Sequence, residues 1–265
     1  MEVSLTNDSI HFREVWSDNL DQEFRLIRDI VDAYPYVSVD TEYPGTVVEP
    51  ISWENREYEN MKTNVNLTKL IQVGFTFSDE NGNLPTCGTD KYCVWQFNFC
   101  EFVLDRDLCA KASINLLRRS GIDFMKNNEK GVSCISFAEL LMSSGAVLND
   151  EVHWITFHGS CDFAYLLKLL TGKNLPDTEA GFFELIRIYF PKLYDIKYLM
   201  GLRRVEGGLS TISSILGVQR IGTSHLAGSD SLLTCCTFMK FRELLGISQE
   251  QVGILHGLGV GRLRR

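Results

Sequence analysis

Residues 36–42 read YVSVDTE, a β-rich run that a Pro and a Gly bring to an end shortly afterwards. Val, Tyr and Thr favour extended backbone, so the run predicts a strand that ends in two acids. Side chains alternate between the two faces of a strand, which places Asp40 and Glu42 on one face and Val39 and Thr41 on the other. Two carboxylates that converge at a strand end repel each other, unless a cation lies between them.

This pair of acids alone leaves two interpretations open, a metal site or ordinary charged side chains. The chain has 34 acidic residues in 265, so two acids separated by one residue also arise by chance. The same tripeptide, Asp-Thr-Glu, occurs again at residues 177–179, where it precedes a helical pattern and predicts a helix cap.

The segments around this strand predict a mixed sheet covered by helices. Residues 70–77 and 92–99 are two further β-rich runs, and the turn-forming sequence DENGNLP between them predicts an antiparallel hairpin. Apolar residues at helical spacing predict an amphipathic helix over residues 13–31. Later patterns predict one strand at 152–157 and helices at 104–119, 137–142, about 162–170, 179–189, 208–216 and about 229–245. No linker or repeat divides the pattern, which predicts a single α/β domain over residues 1–265.

Composition narrows the classes of function. The chain is 45% hydrophobic with a net charge of −8, which excludes a disordered chain and argues against broad binding of duplex nucleic acid. Binding of one nucleic acid strand in a narrow groove is still compatible with this charge. Eight cysteines show no C-x-x-C pair, so neither a zinc site nor a disulfide framework is expected. No signal-like start and no apolar run of about 18 residues is evident, so we expect an intracellular protein without a membrane partner.

Two further candidate sites lie where loops enter predicted helices. Residues 158–162 read HGSCD, and Asp162 begins a helical stretch, where an acid commonly complements the helix dipole for ~0.3 to 1 kcal/mol. Residues 225–231 read HLAGSDS, in which Asp230 also begins a helix. His225 precedes Asp230 by five residues, so the two can share a site without sharing a helical face. Each candidate, taken alone, is also compatible with an ordinary helix start.

Together the three candidates have the order of the DEDD exonucleases that contain a histidine. Over nearly the whole chain the sequence resembles the poly(A)-specific ribonuclease subunit of the CCR/NOT complex, the catabolite-repressor-associated factor family. The resemblance rests on the segments VDTEYPG, LIQVGFTFSDENGNLPTCGTDKYCVWQFNF, FHGSCDFAYLLKLLTG, LPDTEAGFFELI, YDIKYLM and HLAGSDSLLT. It implies an RNase H-like fold and removal of adenylates from mRNA tails in the 3′-to-5′ direction.

The resemblance also assigns roles to residues. It implies that Asp40, Glu42, Asp162 and Asp230 bind two divalent ions, Mg²⁺ or Mn²⁺, and that His225 is the general base. Two such ions would serve an in-line displacement at phosphorus, and a histidine can accept a proton near neutral pH. The aromatic residues of the hairpin, Phe75, Trp95 and Phe97, are expected in the core rather than in an RNA groove.

The partners that the resemblance implies are single-stranded poly(A) RNA, the NOT scaffold protein and a second deadenylase of the complex, in cytoplasm and nucleus. Two other classes stay open, a catalytically weak adaptor subunit and a metal-dependent exonuclease that acts on another single strand. The complete set of acids with His225 disfavours the adaptor. Cys161 and Leu226 depart from the family pattern beside expected ligands, and so the strength of the adenine preference is left open.

Overall fold

The computed structural model describes residues 5–49 and 56–261, within which six strands form one sheet and ten α-helices surround it. The strands are β1 (Ile10–Val15), β2 (Tyr36–Glu42), β3 (Gln72–Ser78), β4 (Tyr92–Asn98), β5 (His153–Thr156) and β6 (Lys192–Asp195). Their order across the sheet is β1-β4-β3-β2-β5-β6. The pairs β2–β3 and β3–β4 are antiparallel and the other three are parallel, so the predicted mixed sheet with flanking helices is confirmed.

The helices lie between and after the strands in chain order. They are α1 (Leu20–Ile30), α2 (Arg56–Leu67), α3 (Lys111–Ser120), α4 (Phe124–Lys130), α5 (Cys134–Met142), α6 (Ser160–Thr171), α7 (Glu179–Tyr189), α8 (Ile196–Leu202), α9 (Leu209–Ile215) and α10 (Ala227–Leu245). The predicted cap at residues 177–179 is confirmed, because the Thr178 hydroxyl accepts a hydrogen bond from the Gly181 N–H. In the described part of the chain, no helix is both long enough and apolar enough to cross a membrane.

The structure corrects two of the predicted helices. Residues 13–31 are not one helix, because residues 10–15 form β1 and pair with β4 over the whole strand. Residues 104–119 are helical only from Lys111, since the Asp107 carboxylate accepts hydrogen bonds from the Val103 N–H and from Lys69 and so stabilises a turn. Sequence periodicity also missed α2, α4, β6 and α8.

Large apolar side chains occupy one face of the sheet. Phe75, Trp95 and Phe97 are fully buried there, as expected, against helices α1, α5 and α6. Phe137 of α5 lies edge-on to Phe97, with ring centroids 4.9 Å apart. The aromatic face therefore supplies the main hydrophobic core.

The opposite face carries small side chains and lies directly against α10. The Ser38 hydroxyl donates a hydrogen bond to the Ser231 carbonyl over 2.8 Å. Gly74 of β3 allows the closest approach, because a Cβ atom there would lie 1.9 Å from the Ala227 carbonyl oxygen. Gly74 is also the cross-strand partner of Asp40, so α10 begins next to the acids of β2.

We expect Gly74→Ala to destabilise the protein by about 2 kcal/mol or more, because its methyl group would overlap the backbone of α10. Thermal and urea unfolding measure the change. Gly208→Ala is the matched control, since nothing lies within 4 Å of a methyl group there. Its expected cost is below about 1 kcal/mol, from the change at a helix N-cap. Equal losses of stability in Gly74→Ala and Gly208→Ala would show that the close contact between Gly74 and α10 is not a constraint on the fold.

Candidate active site

The structure brings all five predicted site residues to one end of β2. Asp40 and Glu42 lie on the same face of the strand and are half-buried. Asp162 lies in the first turn of α6 and Asp230 in the first turn of α10, and both are buried. His225 is exposed in the loop before α10. Glu42, His225 and Asp230 each place one ligand atom within 4.8 Å of the others.

Two threonine hydroxyls fix the Asp162 carboxylate. The Thr41 hydroxyl donates to one oxygen and the Thr156 hydroxyl to the other, the latter over 3.1 Å. Thr41 points to the aromatic face of the sheet, so Asp162 reaches the end of β2 from the side opposite α10. Gly159 allows this packing, because a Cβ atom there would lie 2.0 Å from the Thr156 hydroxyl.

Asp195 holds the turn that leads into α6. Its carboxylate accepts hydrogen bonds from the backbone N–H groups of His158, over 2.8 Å, and His256, over 2.9 Å. His158 has a φ of 60°, a left-handed backbone conformation that is uncommon for residues other than glycine. Sequence reasoning gave no role to Asp195, although its segment belonged to the family resemblance, nor to Thr41 or Thr156.

The start of α10 is fixed by side chains of the sheet. The amide oxygens of Gln72 and Gln96 accept from the N–H groups of Ala227 and Gly228, over 3.4 and 3.1 Å. These N–H groups have no partner within the helix, and a side chain commonly satisfies such groups. Two neighbouring strands therefore determine where the helix begins.

The Asp230 carboxylate has two partners beside the helix start. One oxygen accepts from the His225 backbone N–H over 2.9 Å, and the other from the guanidinium of Arg220. His225, like His158, has a positive φ, of 61°. Arg220 was missed by sequence reasoning, because a single arginine in a loop shows no spacing pattern.

The acids of the site disfavour their own ionisation. Burial, together with Asp230 and Asp162, raises the pKa of Glu42 to about 8. Burial raises the pKa of Asp162 to about 7, although the two threonine hydroxyls oppose the shift. Burial and the three neighbouring acids also raise the pKa of Asp40 well above its ordinary value, with Arg220 acting in the opposite direction. Carboxylates crowded in this way are stabilised by cations.

The donor set fits divalent ions. Four carboxylates and one imidazole offer mainly hard oxygen ligands, which Mg²⁺ and Mn²⁺ prefer. The carboxylates come from a strand and from two helices that lie on opposite sides of the sheet, and the imidazole comes from the loop before α10, so they surround the end of β2. Such a site can hold divalent ions at a position where a bound phosphodiester group would contact them.

Comparison with known proteins shows the family. Residues 15–153 and 136–238 match the CAF1 family ribonucleases. The chain belongs to this family. It is 58% identical over 268 residues to the probable CCR4-associated factor 1 homolog 7 of Arabidopsis thaliana, covering 98% of each chain. It is 46% identical over 255 residues to the poly(A) ribonuclease pop2 of Schizosaccharomyces pombe, covering 93% of this chain and 75% of that one.

Solved structures of the family share the fold. The structure of S. pombe Pop2p in its Mg²⁺- and Mn²⁺-bound form matches with a TM-score of 0.89 at 45% identity, covering 94% of this chain and 100% of that one. One chain in the structure of the yeast NOT1 MIF4G domain co-crystallised with CAF1 matches with a TM-score of 0.80 at 30% identity, covering 96% of this chain and 100% of that one. The RNase H-like fold implied by the sequence resemblance is thereby confirmed, and the family assignment with it.

We expect the metal-free protein to lose stability as the pH rises from about 5 to 8. Within this range the folded state keeps the Glu42 proton that the unfolded chain has released, so raising the pH favours unfolding. Calorimetric melting temperatures in EDTA measure the slope. Glu42→Gln should flatten it, whereas Glu129→Gln, at an exposed position, should leave it unchanged. An equal slope in wild type and Glu42→Gln would refute the shift.

Proposed function

We propose that this protein is a metal-dependent 3′-to-5′ exoribonuclease that shortens the poly(A) tails of mRNA and releases AMP. The observation that carries the proposal is the convergence of Asp40, Glu42, Asp162 and Asp230 with His225 at the end of β2. Membership of the CAF1 ribonuclease family supports the reaction class. The poly(A) substrate is supported by the relative named poly(A) ribonuclease.

The four carboxylates would hold two divalent ions. Bound ions of this kind lower the pKa of a water molecule and stabilise charge on the leaving 3′ oxygen. Asp40 is central among the acids, since the charges of the other three all act on it, and it would hold a cation together with them. Thr41 and Thr156 keep Asp162 oriented toward the same site.

We assign to His225 the removal of the proton from the attacking water. Its ring is exposed at the rim of the site, with a nitrogen within 4.8 Å of ligand oxygens of Glu42 and Asp230. Histidine accepts protons in the neutral range more readily than a carboxylate of ordinary pKa does. The same distance would also allow the ring to bind a metal, and an experiment must separate the two roles.

A cavity beside the acids offers room for a base. Its volume is about 220 Å³, and its walls include Tyr43, which follows Glu42, and Cys161, which precedes Asp162. Tyr43 packs against Tyr165 with ring centroids 5.1 Å apart. Aromatic walls of this kind suit stacking of an unpaired base.

Removing Asp40 tests the reaction. We expect Asp40→Ala to abolish cleavage of a 5′-labelled RNA with an A-tail, and EDTA to abolish it in wild type, because both remove the cations from the site. Asp105→Ala, at an exposed position, should keep wild-type activity. Parallel RNAs with other tails distinguish a poly(A) enzyme from a general exonuclease. Full turnover by Asp40→Ala would overturn the metal assignment, and an inactive wild type would favour the adaptor.

Removing His225 tests the proposed base. We expect His225→Ala to slow cleavage by roughly 10² or more, because water then loses its proton acceptor. The affinity for Mn²⁺, measured by calorimetry, should stay close to wild type if the ring is a base and fall if it is a ligand. His11→Ala, which removes an exposed imidazole on β1, is the control. An unchanged rate across the neutral pH range would exclude His225 from the reaction.

We also propose that the protein docks on the NOT scaffold and acts with a second deadenylase, in cytoplasm and nucleus. A co-crystal of a yeast NOT1 domain with CAF1 supports the first partner. Tethering raises the local concentration of substrate, which helps a chain of net charge −8 to meet RNA. On this proposal docking and catalysis use different surfaces, so the inactive Asp40→Ala protein should still bind the scaffold domain with wild-type affinity. Loss of binding with a native circular dichroism spectrum would contradict separate surfaces.

A further inference from the structure

Arg220 contributes a positive charge to the acidic site. It lies in the segment between α9 and α10, and its guanidinium donates a hydrogen bond to the Asp230 carboxylate. The Arg220 side chain is only 23% exposed, and that of Asp230 is 11% exposed. Its charge also acts on Asp40, in opposition to the three neighbouring acids. Arg220 therefore compensates part of the negative charge of the acids, as a bound cation would.

The arginine is held where it stands. The Ser229 hydroxyl donates to the carbonyl of Ile221, the next residue, over 2.8 Å. The Gly222 N–H donates to the Asn7 side chain over 3.1 Å. Backbone contacts on the C-terminal side of Arg220 thus fix the segment against α10 and against Asn7.

Both oxygens of Asp230 are already engaged. Arg220 occupies one, and the His225 N–H occupies the other. A divalent ion that takes Asp230 as a ligand can use the second lone pair of either oxygen, but it then lies beside the guanidinium, whose positive charge repels it. Removing one partner of a partly buried ion pair also lowers the stability of the protein, because the remaining charge stays uncompensated.

We propose that Arg220 is a positioning residue and built-in counter-cation of the site: it orients Asp230, compensates its charge in the metal-free protein and competes with divalent ions for it. The inference rests on the proposed metal centre. The proposal predicts that loss of Arg220 changes stability and metal affinity in opposite directions. Stability without metal falls, whereas affinity for metal rises.

The test measures both effects on the full chain. Arg220→Gln should lower the melting temperature in EDTA and tighten Mn²⁺ binding, by calorimetry, on the order of tenfold. Arg220→Lys keeps the charge but loses the planar fork, so it should fall between wild type and Arg220→Gln in both measurements. Lys69→Gln is the matched control, because it removes another partly exposed ion pair, with Asp107 over 2.8 Å, away from the acids. It should leave Mn²⁺ affinity unchanged.

A double substitution locates the effect at Asp230. In EDTA, Arg220→Gln combined with Asp230→Asn should melt close to Asp230→Asn alone, because no charge at residue 230 then lacks its partner. If Arg220→Gln lowers the melting temperature equally in both backgrounds, the arginine has a general structural role and the inference fails. Weaker Mn²⁺ binding in Arg220→Gln overturns it as well. Absence of Mn²⁺ binding in wild type would instead overturn the proposed metal centre. The melting temperatures of the single and double variants in EDTA would still decide whether Arg220 acts through Asp230.

Discussion

The close approach of α10 to β3 at Gly74 is the constraint on which the rest of the site depends. A side chain at this position would overlap the carbonyl of Ala227, so the helix axis would have to move away from the sheet. Asp40 is the cross-strand partner of Gly74, and Asp230 lies one helical turn beyond Ala227. The absence of one side chain in a strand therefore sets the distance between two carboxylates that are 190 residues apart in the chain.

The end of β2 is where side chains from both faces of the sheet can meet. The alternation of the strand sends Asp40 and Glu42 toward α10 and Thr41 toward α6. Thr41 then binds the Asp162 carboxylate, which approaches from the aromatic face. The residue between the two acids is thus as much a part of the arrangement as the acids themselves. The sequence pattern of two acids around one spacer residue does not reveal this role, because the role of Thr41 depends on a helix that begins 119 residues later, at Ser160.

The sequence predicted those features that local patterns determine. The strand at residues 36–42 has the bounds predicted for it, because its β-rich run and its turn residues are contiguous. Strand β1 was missed, since its pairing partner, β4, lies some 80 residues away and the apolar–polar alternation of its own sequence, IHFREV, breaks at Glu14. All five candidate site residues do converge, but their convergence was inferred from a family resemblance. Arg220 and Asp195 act through backbone and carboxylate contacts that no spacing in the sequence records.

The site is electrostatically unfavourable on its own, and the surrounding structure explains how the fold can contain it. Burial raises the pKa values of Asp40, Glu42 and Asp162, so keeping these acids charged costs free energy. The aromatic core on one face and the hydrogen-bonded contacts of α10 on the other lie beside the acids and do not depend on their charge. The fold can therefore form before cations bind. Cation binding then relieves the repulsion, and the free energy of that relief contributes to affinity.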